Sequence, residues 1–326
     1  MLSKGGIKGK SMNATNPPLS IVVASYTIER FDDLTELLDS LQAQTYRNFE
    51  TLVVTERSTE LYNRLRAYIE EKAYPNTPVL FNPGPWGLSS SRNFGIERAN
   101  GEIIVFIDDD ALALPDWLEE IVKTYSNDES VIGVTGPALP LWEDGPIDWL
   151  PEEFYWIISC MSYKWADKGE VRNVWGTNMS FRREAFDQCG IFSPHLGLNE
   201  DSESGRHGLV NEETEFSIRV RDKTGLRIVY NPNMRIKHRV YRYRLSRQFI
   251  SRRAYQEGYS KAMLKKLRGN SSEHSSVLAT EYSLLRRIFV KLLPSILKGF
   301  FKNPIISWRK LQVTFPQYLF RVSQML

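Results

Sequence analysis

Four short runs of aliphatic and β-branched residues, "LSIVVAS" (19–25), "NFETLVVTE" (48–56), "TPVLFN" (77–82) and "EIIVFI" (102–107), alternate with segments whose apolar residues recur every three or four positions. A continuous apolar run suits a strand buried on both faces, and such strands take parallel neighbours with crossover helices covering the sheet. Helical spacing is plain in "RFDDLTELLDSLQAQT", where Leu34, Leu37, Leu38 and Leu41 share a face, and in "STELYNRLRAYIEE", with Ser58 placed to cap it. "GLSSSRNFGIERANG" and "PDWLEEIVKTYSN", the latter with proline in its first turn, complete the alternation. The pattern predicts an α/β fold with a mostly parallel, Rossmann-like sheet. In such sheets ligands bind beyond the carboxyl ends of the strands.

The fourth strand ends in Asp108, Asp109 and Asp110. Neighbouring carboxylates repel and resist leaving water unless a cation or hydrogen-bond donors compensate them. The triplet is either a solvated turn, favoured by the dipole of the helix that follows, or a cradle for something positive. Asp108 and Asp110 form a DxD pair of oxygen ligands suited to a hard divalent cation, Mn²⁺ or Mg²⁺, of the kind that bridges to a nucleotide diphosphate.

The chain has 326 residues, enough for one large or two medium domains. Its net charge of +3 conceals a division: residues 239–326 hold 18 Lys and Arg against Glu257, Glu273 and Glu281, whereas residues 1–238 hold 24 basic and 36 acidic residues. The basic quarter is expected to meet something anionic, a membrane surface or nucleic acid. Residues 1–18, rich in Gly, Lys and Asn, are expected to form a disordered tail. Their "GKS" falls one residue short of phosphate-loop spacing and follows no strand. No window of about 18 uncharged apolar residues suggests a transmembrane helix. Cys160 and Cys189 lack metal-ligand spacing, and with no secretory signal at the N-terminus they read as buried thiols of a reducing compartment.

"LSIVVASYT…FDDLTELLDSLQAQTYRNFETLVV", "GLSSSRNFGIERANGEIIVFIDDDALALPDWL", "WGTNMSFRREAFDQCGIF" and "NEETEFSIRVRDKTG" occur in order over about residues 19–240. Together they resemble the inverting nucleotide-sugar glycosyltransferases of family 2, which have the GT-A fold. The resemblance implies that Ala24, Ser25 and Tyr26 line the base and ribose pocket. It puts Glu56, beside Thr55, at the second-strand end, where the family usually carries an acidic pair. Arg92 would lie near the nucleotide, Asp108, Asp109 and Asp110 would form the DxD region, and Trp175, Gly176 and Asn178 would lie beside the donor sugar. Inversion needs a carboxylate to deprotonate the acceptor hydroxyl, and the family's Glu-Asp pair reads here Glu212-Glu213, with Glu213 in the usual aspartate's place. His238 corresponds to a late histidine that supports the metal. Each position also has a plainer reading: Arg92 as a helix-surface cation, Trp175 as core, His238 as structural, and Glu212 and Glu213 as acids favoured by a helix dipole. His195, Arg206 and His207 are candidates for an acidic sugar or an acceptor phosphate.

In "EYSLLRRIFVKLLPSILKGFF", Leu285, Ile288, Phe289, Leu292, Leu293, Ile296, Leu297 and Phe300 fall on one helical face, with Arg287, Lys291 and Lys298 largely opposite and Pro294 dividing the helix. With Trp308 beyond them, these residues describe a helix lying in a membrane interface; packing on the catalytic domain or in a dimer is the alternative. The expected organisation is a tail (1–18), a GT-A domain (19–240) and a basic, amphipathic membrane-associating region (241–326). The whole-chain pattern is similar to archaeal-type glucosyl-dolichyl phosphate glucuronosyltransferases. That similarity implies a UDP-sugar donor, UDP-glucuronic acid in particular, a polyprenyl- or dolichyl-phosphate-linked acceptor, and a peripheral place on the cytoplasmic face of the membrane. A soluble transferase acting on a polysaccharide or small molecule, and a non-enzymatic nucleic-acid binder, are the alternatives. The basic segment interleaves its arginines with aliphatic more than stacking residues, which argues against the last. Oligomeric state is left open.

Overall fold

A computed structural model describes residues 16–161, 169–194, 196, 210–268, 284 and 286–323. The strands are β1 (Leu19–Ser25), β2 (Phe49–Glu56), β3 (Val79–Asn82), β4 (Ile103–Ile107), β5 (Ala111–Ala113), β6 (Val131–Thr135), β7 (Ala138–Trp142), β8 (Gly169–Glu170), β9 (Asn178–Arg182), β10 (Arg227–Tyr230) and β11 (Ile236–Val240). The helices are α1 (Phe31–Gln42), α2 (Thr59–Lys72), α3 (Leu88–Ile96), α4 (Trp117–Asn127), α5 (Arg183–Cys189), α6 (Glu212–Thr224), α7 (Arg247–Arg268), α8 (Leu293–Gly299) and α9 (Pro304–Ser323). The chain divides into two compact units, one drawn from 1–139, 163–208 and 212–238, the other from 140–162, 209–211 and 239–326.

The first unit is built on an eight-stranded sheet in the order β3-β2-β1-β4-β9-β6-β10-β8. β1 pairs in parallel with β2 and β4, β2 with β3, and β6 with β10. β9 runs antiparallel between β4 and β6, and β8 is an antiparallel edge. Side-chain alternation along β1 divides the core: Ile21 and Val23 join Leu34, Leu37, Leu38 and Leu41 of α1, while Val22 faces Ile104, Phe106 and Phe181 on the other side. Ser58 caps α2 as its position suggested, its hydroxyl accepting from the Leu61 N–H at 3.1 Å. α4 begins later than expected, at Trp117, so Pro115 precedes the helix instead of filling its first turn. Under α6, Phe216 sits 4.8 Å from Phe186 and 4.9 Å from both Phe181 and Phe192, centroid to centroid. Such aromatic pairs each contribute about 0.5–1.5 kcal/mol beyond area burial, and here they fix the helix whose first residues are Glu212 and Glu213.

The topology brings several chain segments to one edge. β1, β2 and β4 end there in Ser25, Glu56 and the aspartates. β9 is antiparallel to β4, with Asn178 opposite Ile107, so the segment leading into it arrives at the same edge. β11 pairs antiparallel with β5, placing His238 opposite Ala111, just after the aspartates.

The second unit is mainly helical, with α7, α8, α9 and a 3-10 segment Glu152–Ile158. Cys160 in this unit and Cys189 in the first are both buried and carry no disulfide. The helix expected over 281–301 is interrupted: Ile288–Leu292 form a π turn before α8, which has Pro294 near its start. Proline has no N–H to return to the preceding turn, so the ladder widens there. The expected apolar face is also divided. Ile288, Leu292 and Ile296 point inward and are buried, Leu293 and Phe300 are half-buried, and Phe289 and Leu297 are exposed. The inward row follows i, i+4, i+8 spacing, as helix packing on protein requires. Arg287 pairs with Glu153 at 2.9 Å, and Lys291 is exposed. Leu285 lies outside the described residues.

Candidate active site

Three carboxylates of different circumstance stand at the end of β4. Asp110 is buried; one of its oxygens lies 3.0 Å from His238 Nε2 and the other 3.1 Å from an Arg30 nitrogen. Asp108 is partly exposed, 3.8 Å from His238 Nε2 and 3.1 Å from Arg92. Asp109 accepts a hydrogen bond from the Ser25 hydroxyl at 2.6 Å. Burial and then the Asp110 charge push Asp109 up to about 7, while Arg30 and the Ser25 bond pull the opposite way. One ligand atom from each of Asp108, Asp110 and His238 can be chosen so that all lie within 4.8 Å of one another. Two carboxylate oxygens and an imidazole nitrogen form a donor set that fits Mn²⁺ or Mg²⁺.

Arg92 ties this cluster to the start of α6. Its guanidinium donates to Glu212 at 2.8 Å, to the Gly176 carbonyl at 2.9 Å and to Asp108 at 3.1 Å, and it is buried. The planar fork is what allows one side chain to hold three acceptors. The surface reading of Arg92 is therefore excluded. Glu213 follows Glu212 and is also buried, with the Thr214 hydroxyl 3.2 Å from its carboxylate. Gly176 lies against both Arg92 and Glu213: a Cβ there would stand 3.9 Å from each. Beside it, the Trp175 indole N–H and the Thr177 hydroxyl are buried and have no hydrogen-bond partner among the described residues. A buried donor or acceptor left unpaired costs about 1–3 kcal/mol, and a ligand hydroxyl in this place would relieve it.

The other expected positions differ in what they do. Tyr26 is exposed and Ala24 half-buried at the end of β1. Glu56 is buried and engaged: the Gly87 N–H donates to both its oxygens at 3.0 and 2.9 Å, and the Ser91 hydroxyl donates at 2.6 Å. It thus anchors the N-terminus of α3, at Gly87 with φ of +113°, where a side chain would be strained. Asn178, expected beside the donor sugar, is turned into the core. Its amide donates to the carbonyls of Pro137 and Met234 at 3.1 and 2.8 Å and accepts from the Trp117 indole at 2.9 Å, leaving nothing to offer a sugar. His195, Arg206 and His207 lie outside the described residues. Sequence reasoning missed Arg30, the cation on Asp110; its signal was a basic residue in the turn directly after β1, at the ligand-binding edge.

The glycosyl transferase family 2 profile matches residues 20–190. The glucosyl-dolichyl phosphate glucuronosyltransferase of Haloferax volcanii is 31% identical over 268 residues, which are 82% of this chain and 83% of that protein. The chain belongs to glycosyl transferase family 2. Its fold is shared with mannosyltransferase PcManGT from Pyrobaculum calidifontis, solved with GDP-Man and Mn²⁺, at TM-score 0.61 and 18% identity over 98% of this chain and 91% of that one. Residues 1–349 of S. aureus TarS, solved with UDP-GlcNAc, match at TM-score 0.51 and 16% identity over 87% of this chain and 75% of that one. This is the GT-A fold, and the protein is a glycosyltransferase. No helix among the described residues of the transferase is long and apolar enough to cross a membrane.

Proposed function

We propose that this transferase moves a sugar from a UDP-sugar, with UDP-glucuronic acid the favoured donor, to a saccharide carried on polyprenyl or dolichyl phosphate, inverting the anomeric carbon. The observation that carries the reading is the Arg92 node, which holds the DxD region, the Gly176 loop and the Glu pair together in a buried site. The glucuronosyl group and the lipid-linked acceptor follow the activity for which the Haloferax volcanii relative is named, and that relative matches over most of this chain.

Asp108, Asp110 and His238 would hold Mn²⁺ or Mg²⁺, which when bound supplies positive charge for a diphosphate leaving group. Arg92 lies beside that cluster, where it neutralises charge on the same side. Ala24, Ser25 and Tyr26 border the nucleotide, with Ser25 acting through Asp109. Trp175 and Thr177 supply unpaired polar atoms for the sugar. Glu212 is committed to Arg92, and its neighbour Glu213 takes the proton of the acceptor hydroxyl. As that oxygen bonds to the anomeric carbon, the bond from carbon to diphosphate oxygen breaks on the opposite face and UDP leaves. Residues 19–240 carry this chemistry, and 241–326 keep the enzyme on the cytoplasmic face of the membrane.

The test supplies UDP-glucuronate, UDP-glucose, UDP-N-acetylglucosamine or GDP-mannose with a glucosylated polyprenyl phosphate and divalent metal, and detects lipid product by mass spectrometry. Product from UDP-glucuronate with inverted linkage is expected. Product from GDP-mannose alone would overturn the donor assignment, and transfer only to a water-soluble saccharide would overturn the acceptor.

A further inference from the structure

Phe301 and Ile305, the two most exposed large apolar side chains described in the second unit, lie with Leu297 and Trp308 where α8 gives way to α9. The two helices are joined by the turn 300–303, closed by the Lys302 and Asn303 N–H groups on the Gly299 carbonyl, both at 2.9 Å. Gly299 lets them meet closely, since a Cβ there would stand 2.7 Å from the Ser307 hydroxyl. Around this turn Phe301 is 95% exposed, Ile305 69%, Leu297 59% and Trp308 54%. Lys298, Lys302 and Arg309 are exposed among them. Residues 282–326 hold eight Lys and Arg and no acid.

Large exposed apolar groups clustered in one place mark a contact surface, and their charge setting identifies the partner. A second copy of the chain would bring cations against cations. An anionic lipid surface matches both halves of the pattern, with aliphatic and aromatic groups at the acyl boundary and Lys and Arg at headgroup level. We infer that the turn between α8 and α9 is a membrane-inserting tip: Leu297, Phe301, Ile305 and Trp308 enter the interface of an anionic bilayer, and Lys298, Lys302 and Arg309 meet its phosphates. This sharpens the membrane association proposed above, replacing a long interfacial face, whose Ile288, Leu292 and Ile296 are spent inside the protein, with a compact wedge.

The test floats the full chain with vesicles that contain no acceptor lipid, zwitterionic or doped with an anionic phospholipid, so its result is independent of sugar transfer. Wild type is expected to float with the anionic vesicles. Phe301→Ser with Ile305→Ser lowers partitioning at least about tenfold. Lys298→Gln, Lys302→Gln and Arg309→Gln together lower it about a hundredfold on anionic vesicles and little on neutral ones. Phe289→Ser with Val290→Ser, away from the tip, changes it less than about twofold. Quenching of wild-type tryptophan emission by acyl-brominated lipid, with a component lost in Trp308→Phe, reads insertion without the tip variant. Wild type remaining unbound, undiminished flotation of the Phe301/Ile305 variant, or a solution dimer that this variant converts to monomer would each overturn the inference.

Discussion

Arg92 shows how one side chain converts a sequence neighbourhood into a site. Removing the guanidinium would leave Glu212 and part of Asp108 as uncompensated charge, so its three contacts serve stability and chemistry together. By holding Glu212, Arg92 also distinguishes it from Glu213, the residue that the family resemblance puts in the place of the base. Glu213→Gln is expected to cut kcat by about 10²–10⁴-fold with the KM for the donor little changed, as loss of a general base does. Glu212→Gln keeps an oxygen for Arg92 and should cost about tenfold. A more severe loss in Glu212→Gln would exchange their roles. Asn178 tests the opposite assignment. Asn178→Ala unpairs the Pro137 and Met234 carbonyls and the Trp117 N–H, which should lower stability by about 2–4 kcal/mol in thermal or denaturant unfolding while the donor KM of the folded enzyme holds. A raised KM at unchanged stability would restore it to the donor site.

At the scale of elements, what could be read in advance was what a local pattern encodes. The Leu34, Leu37, Leu38 and Leu41 stripe, the Ser58 cap and the four apolar runs all sit where their spacing put them. The antiparallel insertion of β9 between β4 and β6 could not be read, because it depends on pairings more than 40 residues apart along the chain. That insertion turns Asn178 inward and brings Gly176 to Arg92, an arrangement that the order of the residues along the chain does not reveal. Local electrostatics also fasten strand ends. Asp128, before β6, accepts from the Ser130 hydroxyl at 2.6 Å and N–H at 2.9 Å and pairs with Arg227 at the start of β10. These contacts, the Ser130 hydroxyl first, hold the Asp128 carboxyl below the usual aspartate range against an opposing effect of burial. A depressed folded-state pKa stabilises the fold above the unfolded value and is lost as pH falls below about 4. Melting temperature in acid should therefore fall more steeply for wild type than for Asp128→Asn, with the gap between them widest near neutrality; parallel curves would remove this contribution.

For the molecule as a whole, the division between an acidic body and a basic C-terminal quarter was legible from charge counts, and it is what motivates the anionic surface proposed for that quarter. The face it presents was not, because helical periodicity reports that residues share a side without saying whether protein or lipid covers it. The DxD spacing similarly pointed to Asp108 and Asp110, and the family resemblance to His238; the fold brings that histidine, more than 120 residues later, to within 3.0 Å of Asp110 and sets Arg30, which neither signal named, on the other Asp110 oxygen. The central claim is that this assembly binds a nucleotide diphosphate through a divalent cation. Calorimetric titration of UDP into wild type and Asp110→Asn, with Mn²⁺ and then with excess chelator, tests it most directly. UDP should bind wild type with Mn²⁺, lose that binding with chelator, and fail to bind the variant in either condition. Binding indifferent to both metal and Asp110, or absent throughout, would contradict the account.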